Sequence, residues 1–294
     1  MKNPFITIII PTHNRAQDVI ELITSIKQSD YNSYQIVVVD DASDDGTPSI
    51  INQTHQEVGV LTNLKNLGAA ASKNIGIKKY LNLSDYLLFL DSDEIIEKDT
   101  ITKLVEVLSR HSDKIAAVTP SVYYFEKPEK KQYGHVAVGL ITGINYSKKD
   151  KHPSKPWSVK SCGGNLLIKK EMIKKVGLFD ENFHVFYEDA DYSLRIIKAG
   201  YKIFYVPQAK VYHKTPFYNK KQATQKWLSH AYLTARNKLI FLKKHSPCFL
   251  LSLLFYPIYI VFYTFKALKY QDSLALKEYW RGVKDGLKWA FSKK

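Results

Sequence analysis

The stretch Gln35-Ile-Val-Val-Val-Asp-Asp-Ala-Ser-Asp-Asp-Gly-Thr47 decides the fold. Residues 35–39 form a short, mostly β-branched run without polar alternation, which reads as a strand buried on both faces of a parallel sheet. The run ends on a carboxylate pair, Asp40-Asp41. Asp44-Asp45-Gly46 is a turn, and Thr47 to Asn52 fits a helix. The same order extends outward on both sides. Upstream, Phe5 to Ile10 is a buried strand closed by Pro11, and Val19, Ile20, Leu22, Ile23 and Ile26 line one face of a helix over 16–28. Downstream come a strand at Val58–Leu61, a helix at Gly68–Leu81 and a strand at Tyr86–Leu90 ending in Asp91-Ser92-Asp93-Glu94. A helix at Asp99–Arg110 and a strand at Ala116–Pro120 follow. Strands alternating with helices predict an α/β fold with a mostly parallel, doubly wound sheet.

The pattern changes after residue 125. Residues 126–160 are rich in Lys, Pro, Gly and Tyr and show no period, as expected of long loops or a hairpin covering an active-site face. Gly163-Gly164 precedes a strand at Asn165–Ile168 and a helix at Lys170–Val176 capped by Gly177. Glu188–Ala199 reads as a helix stopped by Gly200, and Tyr201–Val206 as a strand ending at Pro207. Lys226–His245 reads as one long helix. The expected organisation is a catalytic domain over 1–225 and a helical, basic, apolar tail over 226–294.

The 294 residues are 45% hydrophobic and 24% charged, which excludes a disordered chain. Cys162 and Cys248 are the only cysteines, too few for a disulfide framework or a Cys-rich zinc site. Met1-Lys2-Asn3-Pro4 runs straight into a strand without a signal-peptide pattern, so a cytoplasmic start is expected. The net charge of +15 asks for an anionic partner. Residues 241–294 hold ten Lys and Arg against three acids, yet no zinc finger or RNP motif accompanies them, and nucleic acid is not expected as a partner. There is no Gly-x-Gly-x-x-Gly and no P-loop, which argues against a dinucleotide dehydrogenase or a P-loop nucleotidase.

Parallel sheets bind ligands beyond the carboxyl ends of their strands. Asp40-Asp41 and Asp91-Ser92-Asp93 stand at two such ends, and two acidic ends on one rim can hold a ribose and a divalent cation. A single such pair would read as turn and cap residues first; two pairs after two buried strands put function ahead. Glu188-Asp189-Ala190-Asp191 follows the aromatic segment Phe179–Tyr187. A carboxylate against an apolar wall can act as a base near neutral pH, although acids also suit a helix N-terminus. His213, taken alone, reads as a surface or core histidine more than as a ligand.

Six ordered motifs carry a resemblance. Pro11–Arg15, Val37–Thr47, Asn66–Asn74, Asp91–Asp93, Gly177–Glu181 and Tyr187–Asp191 resemble those of family 2 glycosyltransferases, inverting nucleotide-sugar enzymes of the GT-A fold, over about residues 4–215. The Glu-Asp-x-Asp-Tyr-x-Leu-Arg run ending at Arg195, with His213 beyond it, is similar to the rhamnosyl- and galactofuranosyl-transferase-like branch. The resemblance implies that Pro11 and His13 line a nucleobase pocket and that Asp41 hydrogen-bonds the base. It implies nucleotide contacts for Lys73, Asp91 and Ser92, with Asp91 on the ribose, and a cation, Mn²⁺ or Mg²⁺, on Asp93 with His213 assisting. Asp189 would be the general base, supported by Glu188 and Asp191, which could also touch the acceptor. His13 stands where the family usually has Tyr, and Lys73 where it usually has Arg, and both departures bear on which nucleotide is bound. The implied partners are a nucleotide-diphospho-sugar donor and a glycan or lipid-linked acceptor. The competing readings are a nucleotidyltransferase of similar sheet topology, which would need a Gly-rich basic loop after the first strand, and a non-catalytic lipid- or polyanion-binding protein, which leaves the ordered carboxylates without a role.

Pro247 to Phe265 is a run of 19 residues without a charge. A spanning helix needs about 20 apolar residues, but Pro257 and several tyrosines favour the interface. With Leu274–Phe291 beyond it, which suits an amphipathic surface helix, the expectation is a monotopic association with the cytoplasmic face of a membrane, a spanning or re-entrant segment at 247–265 and an ordinary packed helical tail being the alternatives.

Overall fold

The structure, a computed structural model, describes residues 3–110, 114–147 and 154–292. Expectations that fall on Met1-Lys2, on 148–153 of the loop region and on Lys293-Lys294 lie outside the described residues. The chain forms two compact units. The first comprises Met1–Ala137, Ser147–His184 and Glu188–Pro216, and the second Val138–Tyr146, Val185–Tyr187 and Phe217–Lys294. The expected division at 225 follows the linear sequence. Packing instead places all of the fourth-quarter helices, and two short inner segments, in the second unit.

The first unit is built on a ten-stranded sheet. Strands β1 (Ile6–Thr12), β2 (Tyr34–Asp40), β3 (Gly59–Thr62) and β4 (Tyr86–Phe89) are parallel, in the order β4-β1-β2-β3. Strand β1 runs two residues past Ile10, through Pro11, because Thr12 is in register with Asp40 and its carbonyl accepts from Asp41 N at 2.8 Å. Beyond β4 the sheet is mixed. Strand β11 (Leu166–Lys169) lies antiparallel between β4 and β6 (Ile115–Tyr124), and β12 (Lys202–His213) runs parallel to β6. The short strands β5 (Glu94–Ile96), β7 (Lys131–Tyr133) and β10 (Trp157–Val159) pair with β12, β6 and β12. Part of the 126–160 region is thus strand, and β8 (Val136–Val138) and β9 (Asn145–Ser147) add a separate two-stranded hairpin.

Alternation along the strands feeds two cores. Ile6, Ile8, Ile10, Val38, Leu88 and Leu90 face helices α1 (Ala16–Lys27) and α4 (Thr100–Arg110). Ile9, Val37, Val39, Leu87 and Phe89 face α3 (Ala69–Tyr80), α5 (Lys170–Val176) and α6 (Glu188–Lys198). Each fully buried side chain of this size stabilises by about 1.5–3 kcal/mol, so both faces are strongly specified. The helices therefore leave from the carboxyl ends of the parallel strands, where α2 (Thr47–Thr54) also starts, and the polar loops collect on that rim.

In the second unit, the expected helix at 226–245 is two helices, α7 (Lys220–Ser229) and α8 (Ala231–His245), broken at His230. An Asn219/Gln222 capping box starts α7 six residues early. They pack with α9 (Phe249–Lys269) and α10 (Ser273–Phe291) around Leu239, Tyr256, Tyr263, Tyr279 and Val283. The Tyr263 and Tyr279 rings stack at 3.9 Å, and the Tyr256 and Tyr263 hydroxyls donate to the carbonyls of Ala235 and Leu228. Helix α10 approaches α8 through Gly282, where a Cβ would lie 2.3 Å from the Tyr232 carbonyl oxygen. Of the apolar stripe of α10, Tyr279, Val283 and Ala290 are core, whereas Leu274, Trp280 and Phe291 stay exposed. The bare apolar face belongs to α9, where Leu250, Leu254, Ile258, Val261, Phe265 and Leu268 are each 60–73% exposed.

Candidate active site

Chain direction brings Asp93 and His213 together. After β4 the chain turns at Asp91-Ser92-Asp93 and returns as β5, which pairs antiparallel with the end of β12, setting His213 opposite Glu94. His213 Nε2 lies 3.3 Å from Asp93 Oδ1. The Lys214 amide donates to the Asp93 carbonyl at 2.8 Å and locks the register. His213 Nδ1 is 2.9 Å from Gln132 Oε1, a contact that orients the ring so that Nε2 faces Asp93. The Thr215 hydroxyl lies 2.9 Å from the same Nε2. Burial alone would raise the Asp93 carboxyl, but His213 and the Arg15 guanidinium, 3.5 Å away, hold it below the usual range.

A carboxylate and an imidazole suit Mn²⁺ or Mg²⁺. Among the described residues no cluster of three or more acidic, His or Cys side chains is assembled for a metal. The Asp93–His213 pair is thus a candidate for two such ligands.

Asp91 stands in a cradle. A Cβ on Gly164 would lie 2.5 Å from Asp91 Oδ2, and one on Gly163 would lie 2.5 Å from the Tyr133 ring. Two consecutive glycines thus admit a carboxylate and a phenol side by side. Behind them, Glu94 accepts from the Asp91 amide at 3.0 Å and from Asn165 Nδ2 at 2.7 Å. Burial and the charge of Asp91 push the Glu94 carboxyl well above the ordinary range.

The third part of the site opens helix α6. Glu188 is buried and sits 3.6 Å from Lys73 Nζ, itself 1% exposed and lying over the Phe179 ring. Burial would lower Lys73, but Glu188, Asp91 and Asp189 raise it, so the ammonium persists inside the protein. Burial raises Glu188 more than Lys73 lowers it, and Glu188 Oε2 has no hydrogen-bond partner. Asp189 is half-buried, and burial followed by repulsion from Glu188 pushes it up to about 7. Asp191 is fully buried and accepts from Arg195 Nε at 2.8 Å. Arg195 in turn ties down the carbonyls of Val176 and Leu178. Asp191 therefore supports the helix through Arg195.

At the far end of the rim, Pro11 is half-buried and His13 is exposed, with Nδ1 2.9 Å from the Asp41 carbonyl oxygen. The Asp41 carboxylate accepts from Asn63 Nδ2, Leu67 N and Gly68 N at 2.7–2.8 Å. It organises the loop at 63–68. Lys73 turns inward to Glu188. The structure gathers Lys73, Asp91, Glu188 and Asp189 within mutual electrostatic reach, with Ser92, Asp93 and His213 beside Asp91.

Three residues escaped the sequence reading as individuals. Asn74 grips both backbone groups of Phe179, at 2.9 and 3.0 Å, and so fixes the segment leading to Glu188. Glu94 seats Asp91. Tyr133 lies in the region without a period, and only the Gly163-Gly164 pair signalled that something approaches there closely.

Residues 7–177 match the family described as Glycosyl transferase family 2. An uncharacterized glycosyltransferase of Haemophilus influenzae is 26% identical over 204 residues, covering 66% of this chain and 62% of that protein. The poly-beta-1,6-N-acetyl-D-glucosamine synthase of Staphylococcus aureus is 25% identical over 218 residues, covering 72% and 50%. The chain thus spans less than two thirds of the length of these curated relatives. A mannosyltransferase of Pyrobaculum calidifontis, solved with GDP-Man and Mn²⁺, shares the fold across 100% of this chain and 89% of its own, with a TM-score of 0.58 at 19% identity. With its fold, its ordered strand-end carboxylates and more than half its length matching, the chain belongs to glycosyl transferase family 2.

Proposed function

We propose that the protein is an inverting glycosyltransferase that moves a sugar from a nucleotide-diphospho-sugar to a hydroxyl of a glycan or lipid-linked glycan. The observation that carries this reading is a carboxylate raised to about 7, Asp189, within electrostatic reach of Asp91, two residues from the Asp93–His213 pair. Pro11 and His13 line the base, Asp41 shapes the adjoining loop, and Asp91 and Ser92 face the nucleotide. Asp93 and His213 would hold a divalent cation, which would supply charge neutralisation at the leaving diphosphate. Asp189 accepts the proton of the acceptor hydroxyl while its oxygen bonds to the anomeric carbon and the carbon–phosphate-oxygen bond breaks. The Lys73 ammonium keeps Glu188 in place beside it. One in-line displacement inverts the anomeric centre and releases a nucleoside diphosphate. The named activities of the S. aureus synthase and the Pyrobaculum mannosyltransferase support the same chemistry and a role in surface polysaccharide or glycolipid synthesis.

The helical unit fits a monotopic hold on the cytoplasmic membrane face. Helix α9, 21 residues without an acid, presents the bare Leu, Ile, Val and Phe stripe, and basic residues such as Lys266 and Lys269 close its last turn. Thermal denaturation with ligands tests the enzymatic reading. UDP or GDP with Mn²⁺ is expected to raise the midpoint, with about 2.7 kcal/mol of stabilisation at a hundredfold excess over Kd. Stabilisation by oligonucleotides and not by either nucleotide contradicts it.

A further inference from the structure

Just before Glu188 the backbone adopts a conformation that bulky residues avoid. Phe186 and Tyr187 lie consecutively in the left-handed region, at φ 67° and 72°. Each such residue costs on the order of 1–3 kcal/mol and persists only when its surroundings impose it. The imposing group is Asn237 of helix α8, which is fully buried. Its Nδ2 donates to the Val185 carbonyl at 2.9 Å and to the Phe186 carbonyl at 3.2 Å. Arg236 Nη1 donates to Asn237 Oδ1 at 2.9 Å, which turns the amide so that its NH₂ faces those carbonyls. The Tyr187 ring packs on Phe241 at 5.3 Å and the Phe186 ring on His230 at 5.0 Å. Val185–Tyr187 accordingly belongs to the helical unit, whereas the next residue, Glu188, opens α6 in the catalytic unit.

We propose that Asn237 is a positioning residue for glycosyl transfer: by holding the left-handed Phe186–Tyr187 dipeptide, it sets where helix α6 begins and where the Asp189 carboxylate stands. The inference rests on Asp189 being the base. The first residue of a helix takes its place from the last residue outside it. If Phe186 and Tyr187 relaxed to negative φ, the intervening peptide plane would rotate and carry the start of α6 with it. A glycine pair would occupy this conformation freely; an aromatic pair does so only while clamped. A shift of about 1 Å at a reacting group is enough to cost about 10²-fold in rate.

The test uses the full chain and the variant Asn237→Asp, which keeps the size and removes both donors. Three quantities are read: hydrogen exchange of amides 186–191, the thermal midpoint, and release of nucleoside diphosphate from a panel of UDP-, GDP- and dTDP-sugars. Exchange at 186–191 is expected to rise about tenfold or more. The kcat is expected to fall about 10²-fold with the donor KM within about twofold. Adding Phe186→Asn, a residue that tolerates the left-handed region, should restore about tenfold of the lost kcat. A merely structural Asn237 would lower the midpoint, leave kcat per folded molecule unchanged and gain nothing from Phe186→Asn. Unchanged exchange at 186–191 overturns the proposal. So does full turnover by Asn237→Asp beside an inactive Asp189→Asn. Full turnover by Asp189→Asn instead overturns the base assignment on which the proposal rests. If Asn237→Asp does not fold, Arg236→Met, which frees the amide to turn, is held to the same outcomes.

Discussion

Gly164 shows how a residue without a side chain can set the chemistry of its neighbours. A methyl group there would meet the end of the Asp91 side chain, at 2.5 Å, and not a fixed backbone atom. A carboxylate end moves cheaply, so Gly164→Ala is expected to leave the thermal midpoint nearly unchanged while lowering nucleotide affinity by about tenfold, read by titration calorimetry with UDP or GDP and Mn²⁺. Equal affinity in both proteins would remove Asp91 from the nucleotide site. Asp93→Ala is expected to abolish turnover with the fold intact, and full wild-type activity in EDTA would contradict a role for a cation. The Asp189 carboxyl, raised to about 7 by burial and by Glu188, gives the pH dependence its sign. A base must be ionised, so kcat should climb as pH rises through about 7 and level above it. Asp40-Asp41 and Asp91–Asp93 were legible because they follow buried strands, and Glu188–Asp191 because they open a helix after an aromatic segment. Their inner partners, Glu94 and Asn74, were not. Both form hydrogen bonds to segments far away in sequence, Asn165 and Phe179, which no local pattern reveals.

At the level of elements, the parallel half of the sheet followed from residue periodicity, because strands buried on both faces must be apolar throughout. One departure has a physical cause. Strand β12 does not stop at Pro207. The register with β6 shifts between Val206 and Lys210, so the proline falls in a bulge that needs no ladder donor, and the strand resumes to deliver His213 to Asp93. Leu274–Phe291 lies in an amphipathic helix, α10, and glycine at 282 lets α8 and α10 close, which turns Tyr279 and Val283 inward while Leu274, Trp280 and Phe291 stay exposed. Helix α3 packs on β1 in the same way, since a Cβ on Gly76 would lie 2.8 Å from Ile9 Cγ2. Ile9 is fully buried between two elements, so overpacking there is not relieved by a simple rotation. Gly76→Ala is expected to destabilise the protein by about 1–3 kcal/mol in denaturant unfolding, without changing nucleotide affinity per folded molecule. No change in stability would mean that α3 can move away from the sheet.

At the level of the whole molecule, the basic tail and the bare face of α9 together predict membrane docking. Co-sedimentation of the full chain with phosphatidylserine-containing vesicles is expected at low salt and should weaken as salt is raised. Leu254→Glu with Ile258→Glu, two positions exposed by 73% and 64%, should release the protein without lowering its thermal midpoint. Binding that survives both charges would place the docking surface elsewhere. The catalytic unit carries the central claim, which is tested most directly by nucleoside diphosphate release from a panel of nucleotide-diphospho-sugars, with membrane lipid extract as acceptor source and Mn²⁺ present. Wild-type protein should release the diphosphate from at least one donor, and Asp189→Asn should lose about 10²-fold or more of kcat while retaining nucleotide affinity. Release by Asp189→Asn at the wild-type rate would contradict the account.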